Sequence, residues 1–472
     1  ALSSAASDVY KRQGKMGVSM SQIISKFPAM MLGFIGENDL KILEYDEDIV
    51  VFESANDIEQ PFDLTLCIFD LPSYDYKEYC FRNCILQKKY QSTYSYIFHV
   101  QLPEPYQGSM TKYQNALKQL ESMCHCWGDM KQNSLSADHY IRKNRVMYPY
   151  EKDQVYTRSF SDQISLWSEL PVETQEKKRF QTVIRHVEFS IYLDQPHMHM
   201  MVEKGACFTV DHYVQQSGLS GHPIFSANVK RLYIGDDFCF ERLPSAELLH
   251  AFLKIAESQG FHVTLCFPFL YERQLTAIHN LLSVLNEWSC FSGKRAEVVV
   301  NDWGALNMLH RVYPDVDLVL GRLLNRRKKD PREEWHWQKN SYLPGYQSNF
   351  LNSTCIQSIL SRYGVHRYEF ESTTQKPLLP EGNHTLHFPF YQLNTSTYCN
   401  LKHRCDNFKM NQSKQSGCPG YCREIVSLYP KHLNTYGRGN SIFAFNPLVL
   451  SDPGYLEFFI SHGIDRVVFS MP

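Results

Sequence analysis

The chain lacks any long apolar run. None of its hydrophobic stretches approaches the roughly eighteen residues that a membrane-spanning helix needs, so no span is expected. It also lacks charge of one dominant sign. Lys and Arg number 48 against 50 Asp and Glu, a net charge of −2, which advertises neither a nucleic-acid nor a membrane-surface protein. Several catalytic signatures are missing: no phosphate loop, no GxGxxG, no HExxH and no G-x-S-x-G. The short apolar segment 27–35 has no small-residue cleavage site after it, so no signal peptide is expected. A cytoplasmic location follows, with reduced thiols. The sequons at Asn352, Asn383, Asn394 and Asn411 then carry no meaning.

What is present suits large cores, with 43% hydrophobic and 14% aromatic residues in 472. That length predicts two or three domains. Residues 1–13 resemble a translated adapter and are set aside as non-native, with the native start expected at Met16 or Met20. Residues 14–160 read as a mixed α/β domain, with strands at Asp63–Asp70 and Tyr94–Val100 and a helix over Met110–Met130. Residues 161–225 read as a β-rich connection, with antiparallel strands at 183–193 and 207–214. Between these, His197 and His199 would share one face of a strand. Cys80 and Cys84, and Cys124 and Cys126, are read as ordinary thiols.

From about residue 226 the pattern changes. Apolar runs recur at 229–235, 263–270, 296–302, 317–324, 365–371, 385–391, 441–447 and 465–471, with helical periodicity between several of them. Eight runs in β/α alternation predict a (β/α)8 TIM-like barrel over 226–472. An incomplete barrel is the alternative. The interval 372–383 is too short and Pro-rich for a helix, and the last run ends the chain.

Four cysteines fall in twenty-four residues: Cys399, Cys405, Cys418 and Cys422, spaced C-x5-C-x12-C-x3-C. With 14 Cys in the whole chain, fewer than one is expected in such a window. Reduced thiolates at this density point to a metal. The paired C-x2-C knuckles of zinc ribbons are absent, and the looser spacing suits a larger four-iron cluster; zinc, or no metal, is the alternative. Lys402, His403, Arg404 and Arg423 would donate to the sulfurs or offset their charge.

Residues 225–472 resemble the collagenase-like peptidase family, the thirty-second of the peptidase families of unknown mechanism. The resemblance rests on Val229–Gly235 as a first strand ending in glycine, on Glu297–Gly304 with Asp317–Asn325 as paired strands, and on Cys418-Pro-Gly-Tyr-Cys-Arg423. Gly321–Arg332 also resembles a subgroup of peptide maturation proteins encoded with clostridial-type natural-product clusters. The resemblance implies a [4Fe–4S] cluster on the quartet and modification of a peptide, an RNA base or a small aromatic, with an unknown redox partner. Other members are called peptidases, and a non-catalytic scaffold role is a third reading. Two features depart from the RNA-modifying members: the shorter first and second gaps, and the basic run Arg326–Lys329 with Arg332.

Barrel chemistry sits at the C-terminal ends of the strands. Those ends predict Asp302, Arg322, Glu369 and His387 as catalytic and Asn301, Asn325, Arg326 and Arg327 as substrate-binding, with Asp236, Asp237, Glu371 and Asn446 nearby. The quartet, placed after the sixth run, would share that rim. Trp335 and Trp337 could stack on an aromatic group.

Overall fold

The computed structural model describes residues 31–103 and 174–471, except for 330–346, 403–417 and shorter gaps. The chain divides into two compact units, one ending near Met130 and the other running to the C-terminus.

The first unit is a closed antiparallel barrel of six strands: β1 (Met31–Ile35), β2 (Asn38–Tyr45), β3 (Ile49–Ser54), β4 (Phe62–Asp70), β5 (Asp75–Gln91) and β6 (Tyr96–Gln101). β5 is long enough to pair with β4 along its first part and with β6 along its second, which closes the barrel. Its interior includes Phe52, Leu64, Leu66, Phe98 and Val100, all fully buried. Each such side chain contributes about 1.5–3 kcal/mol. The two expected strands are therefore present. Among the described residues the unit is all-β, and the helix expected over Met110–Met130 lies outside them.

The second unit contains a closed barrel of eight parallel strands: β7 (Glu188–Tyr192), β8 (Val229–Gly235), β9 (His262–Phe267), β10 (Glu297–Val300), β11 (Asp317–Leu320), β12 (Arg367–Glu371), β13 (His384–Phe388) and β18 (Ile464–Ser470), with β18 pairing with β7. Runs such as Glu297-Val-Val-Val300 are almost wholly buried, as strands covered on both faces must be. Helices such as Ala246–Gln259 and Leu275–Ser292 pack their apolar faces outside the barrel. No helix of the described residues is long and apolar enough to cross a membrane.

Two expectations are corrected. The barrel does not begin at 229: its first strand is β7, inside the segment read as a β-rich connection. That segment also holds the helices Thr174–Ile184, Pro196–Glu203 and Val210–Gln216. Pro196 opens the helix that carries His197 and His199, so the two are not on one strand face. His199 Nε2 instead meets the Leu193 carbonyl at 2.8 Å. The run at 441–447 is not a barrel strand either. It forms β17 (Ser441–Phe445) of an antiparallel sheet with β14 (Phe390–Thr395), β15 (Ser427–Leu428) and β16 (Thr435–Arg438). This sheet is inserted between β13 and β18, at the C-terminal end of the barrel. The cysteine quartet belongs to the insertion, so it follows the seventh barrel strand and not the sixth.

Candidate functional site

At the C-terminal mouth the buried side chains form a chain of alternating charge. Asp237, just past β8, is the centre. Its Oδ1 accepts from Asn301 Nδ2 at 2.8 Å, and its Oδ2 accepts from Tyr192 OH and Arg322 Nε, both at 3.2 Å. Arg322 Nη1 lies 3.6 Å from Glu371 Oε1, and Glu371 also pairs with Lys329. Lys329 donates in addition to the Gln392 carbonyl at 2.9 Å. The Arg322 guanidinium lies 4.7 Å from the centre of the Phe238 ring.

Close approach here depends on two glycines. A Cβ on Gly321 would fall 2.3 Å from Asn301 Oδ1, so the missing side chain makes room for the amide that holds Asp237. Gly235 has φ of +105°, and a Cβ there would meet the Cys266 carbonyl at 2.3 Å.

Burial raises the pKa of Asp237, but Arg322, with His387 and Asn301, more than reverses this and holds the carboxyl below its ordinary value. Asp236 goes the other way: burial lifts it despite Arg242. Burial also lowers Lys329, against the pull of Glu371. The pairing with Arg322 therefore favours the charged form of Asp237.

The other candidates divide between the Asp237 centre, a deeper layer of the barrel and the surrounding loops. Asn301 and Arg322 join the Asp237 centre. Glu369 and His387 bond each other one layer deeper, inside the barrel, where Tyr233 OH donates to Glu369 Oε1 at 3.1 Å and His387 Nδ1 has no hydrogen-bond partner. Asn325 Nδ2 donates to the Glu369 carbonyl at 3.1 Å, and its buried Oδ1 is unpartnered. Asp302 stands apart: its Oδ1 accepts from Ala305 N at 2.9 Å and caps the helix Trp303–Val312. The basic run alternates. Arg326 and Lys328 are exposed, whereas Arg327 bonds the Gln375 carbonyl at 2.7 Å and is lowered to about 10 by burial. Asn446 bonds the Ser372 carbonyl at 2.9 Å. Trp335 and Trp337 lie outside the described residues.

Two arginines escaped the sequence reading. Arg242 lies 3.0 Å from Asp236 and 3.3 Å from Asp194. Arg438, on β16, donates to Gln195 Oε1 at 3.0 Å and to the Cys422 carbonyl at 3.4 Å. Arg438 thus ties the insertion to the mouth, as does Asn440, whose Nδ2 donates to the Phe238 carbonyl at 2.8 Å.

Three members of the quartet are described: Cys399 and Cys418 half-buried, Cys422 buried. Cys405 lies outside the described residues, and among those described no three ligands converge on one point. The donor chemistry nevertheless fits a thiolate-bound metal. Lys402 N donates to Cys399 Sγ at 3.3 Å, and the Gly420 backbone bonds Cys418. Burial raises the Cys418 thiol, the Gly420 bond opposes that, and Lys402 pulls in the same direction as Gly420. Arg242 and Arg438 both feel Cys422 electrostatically. Backbone donors and nearby cations are what thiolate sulfurs need when charged.

No family model matches the chain, and no curated protein matches it. Among solved structures, that of the U32 peptidase Mk0906 is similar at a TM-score of 0.29 and 8% identity, over 61% of this chain and 93% of that one.

Proposed function

We propose that the chain is an enzyme of the barrel mouth that modifies a peptide or another carboxylate-bearing substrate, with Cys399, Cys405, Cys418 and Cys422 holding a four-iron cluster beside the site. The observation that carries this reading is the joint made by Arg438: one guanidinium bonds the Cys422 carbonyl while lining the cavity that Arg322 also lines. Bound there, the cluster would supply electron transfer. The protein's own groups would do the rest. Arg322 orients an anionic part of the substrate, and Asp237 keeps Arg322 charged and aimed. Tyr192 and Asn301 hold Asp237, and Lys329 and Glu371 form the second ion pair of the site. The flanking Phe238 and Tyr436 exclude water.

The test is metal and sulfide analysis of protein purified without oxygen. Iron and sulfide in near-equal amounts with absorption near ~400 nm support the reading, and Cys418→Ser should lose both. One zinc per chain with no colour would replace the cluster with a structural metal and remove the redox step.

A further inference from the structure

Glu369 on β12 and His387 on β13 are each 1% exposed, and the Glu369 carboxylate bonds His387 Nε2. The other carboxylate oxygen accepts from Tyr233 OH at 3.1 Å. Arg466 Nη1 donates to that same phenol oxygen at 3.2 Å, and a guanidinium only donates, so the phenol proton goes to Glu369. His387 Nδ1, on the other side of the ring, is buried and has no hydrogen-bond partner. All eight strands around the ring lie among the described residues. Tyr192, Tyr233, Cys266, Val299, Val319 and Val468 pack together in this interior, none more than 2% exposed. The His387 ring lies 6.1 Å from that of Tyr192 and 5.6 Å from that of Tyr233, centre to centre.

The charged groups around the pair are otherwise matched. On the mouth side Asp237 pairs with Arg322, and Glu371, which aligns with His387 in the strand register, pairs with Lys329. On the base side Arg466 and Arg231 pair with Glu297 and Glu188. Among the described residues, the one group able to pair with Glu369 as a cation is His387. The bond between the two needs one proton, and with that proton alone the pair is negative. A second proton, on Nδ1, makes it neutral. An interior of low polarity favours the neutral pair, and so does Asp237, which His387 influences through space. We propose that His387 Nδ1 takes up this second proton reversibly, and that the pair is thereby a proton-operated control of the mouth. Protonated, it leaves Asp237 to hold Arg322. Deprotonated, it sets a second negative charge beneath Asp237. Uptake therefore makes the mouth more positive and favours an anionic substrate at Arg322. The proton moves only between solvent water and Nδ1, so no other reactant is needed. This inference concerns control of the proposed site and rests on Asp237 and Arg322 working there.

The test is nitrogen-15 magnetic resonance of the full-length protein labelled at histidine, with His387 identified as the signal missing in His387→Gln. Between about pH 5 and about pH 9, Nε2 should stay protonated while Nδ1 passes reversibly from the protonated to the bare state. Glu369→Gln, which keeps the shape and removes the charge, should weaken proton binding at Nδ1 by about tenfold or more. Asp237→Asn should act in the same direction, and it decides the matter if Glu369→Gln does not fold. A purely structural bond between Glu369 and His387 predicts one fixed state of Nδ1 at every pH. That result, a bare Nε2, or a titration that neither variant moves would overturn the proposal. Cys418→Ser should leave the titration within about twofold. Loss of iron with the titration intact then strikes the cluster reading alone, and a fixed Nδ1 with iron present strikes this inference alone.

Discussion

At the N-terminal end of the parallel barrel, Arg231 and Arg466 alternate with Glu188 and Glu297. Arg466 Nη1 meets Glu297 Oε2 at 2.6 Å, its Nε lies 3.0 Å from Glu188, and Arg231 Nη1 lies 3.1 Å from Glu297. Each guanidinium touches both acids and each acid both guanidinia. At the C-terminal mouth there are more ions, but the pairing is uneven. Arg242 and Arg322 each hold acids, whereas among the described residues Arg438 hydrogen-bonds only the Gln195 amide and the Cys422 carbonyl. The first arrangement closes the barrel and leaves nothing for a ligand to do. The second leaves Ser470 Oγ without a hydrogen-bond partner among the described residues, on the same wall as Arg438. Burial and charge alone do not mark a site; the unfinished pairing does.

The largest expected contrast is in stability. Arg466→Met leaves Glu188 and Glu297 short of a buried partner and should cost about 3–5 kcal/mol, whereas Arg438→Met breaks hydrogen bonds to two neutral acceptors, the Gln195 amide and the Cys422 carbonyl, and should cost about 1–2 kcal/mol. Denaturant unfolding of the two variants measures this directly. Equal losses would mean that the mouth is as fully paired as the base.

Acid should separate the groups next. Glu297 is pushed up by burial but brought down by Arg466 to about 2. A depressed acid contributes stability above its unfolded pKa and loses it as pH falls, here between about 4.5 and about 2. His384 is lowered to about 4, first by burial, and stacks on Tyr368 at 4.9 Å. Its unfolded form binds the proton first, so its contribution is full above about 6.5 and is lost as pH falls towards about 4. Unfolding midpoints against pH should lose the upper part of this slope in His384→Phe and the lower part in Glu297→Gln. An unchanged profile in both would contradict the account.

The smallest effect is expected at Asp302. Asp302→Ala removes a helix cap and should cost about 1 kcal/mol, while Asp302→Asn, an equally good cap, should cost nearly nothing. Activity lost in the Asn variant with stability intact would return Asp302 to the chemistry.

The parallel barrel was largely legible because seven of its strands lie within the recurring apolar-rich runs, even where polar residues alternate as in Arg367-Tyr-Glu-Phe-Glu371. The first was expected as a strand, within 183–193, but was read as antiparallel and outside the barrel, since Glu188 and Ser190 at alternate positions look like one face of a solvated sheet. The run at Ser441–Phe445 was misplaced because periodicity does not separate parallel from antiparallel pairing. An acid at the end of a barrel strand is also an acid at the start of the next helix, so Asp302 reads identically as catalyst or as cap. Arg322, Asn301 and Asp237 were found because strand ends point to the mouth. Arg242 lies on a short 3-10 turn and Arg438 on an inserted sheet, so no barrel rule reaches either. Their importance comes only from what the fold packs around them.

The most direct test of the central claim is electron paramagnetic resonance of the anaerobically purified protein after reduction by dithionite. The account expects a signal from a reduced four-iron cluster that disappears in Cys422→Ser while the fold is retained. A silent spectrum from protein that binds one zinc, or a signal that survives Cys422→Ser unchanged, would contradict it.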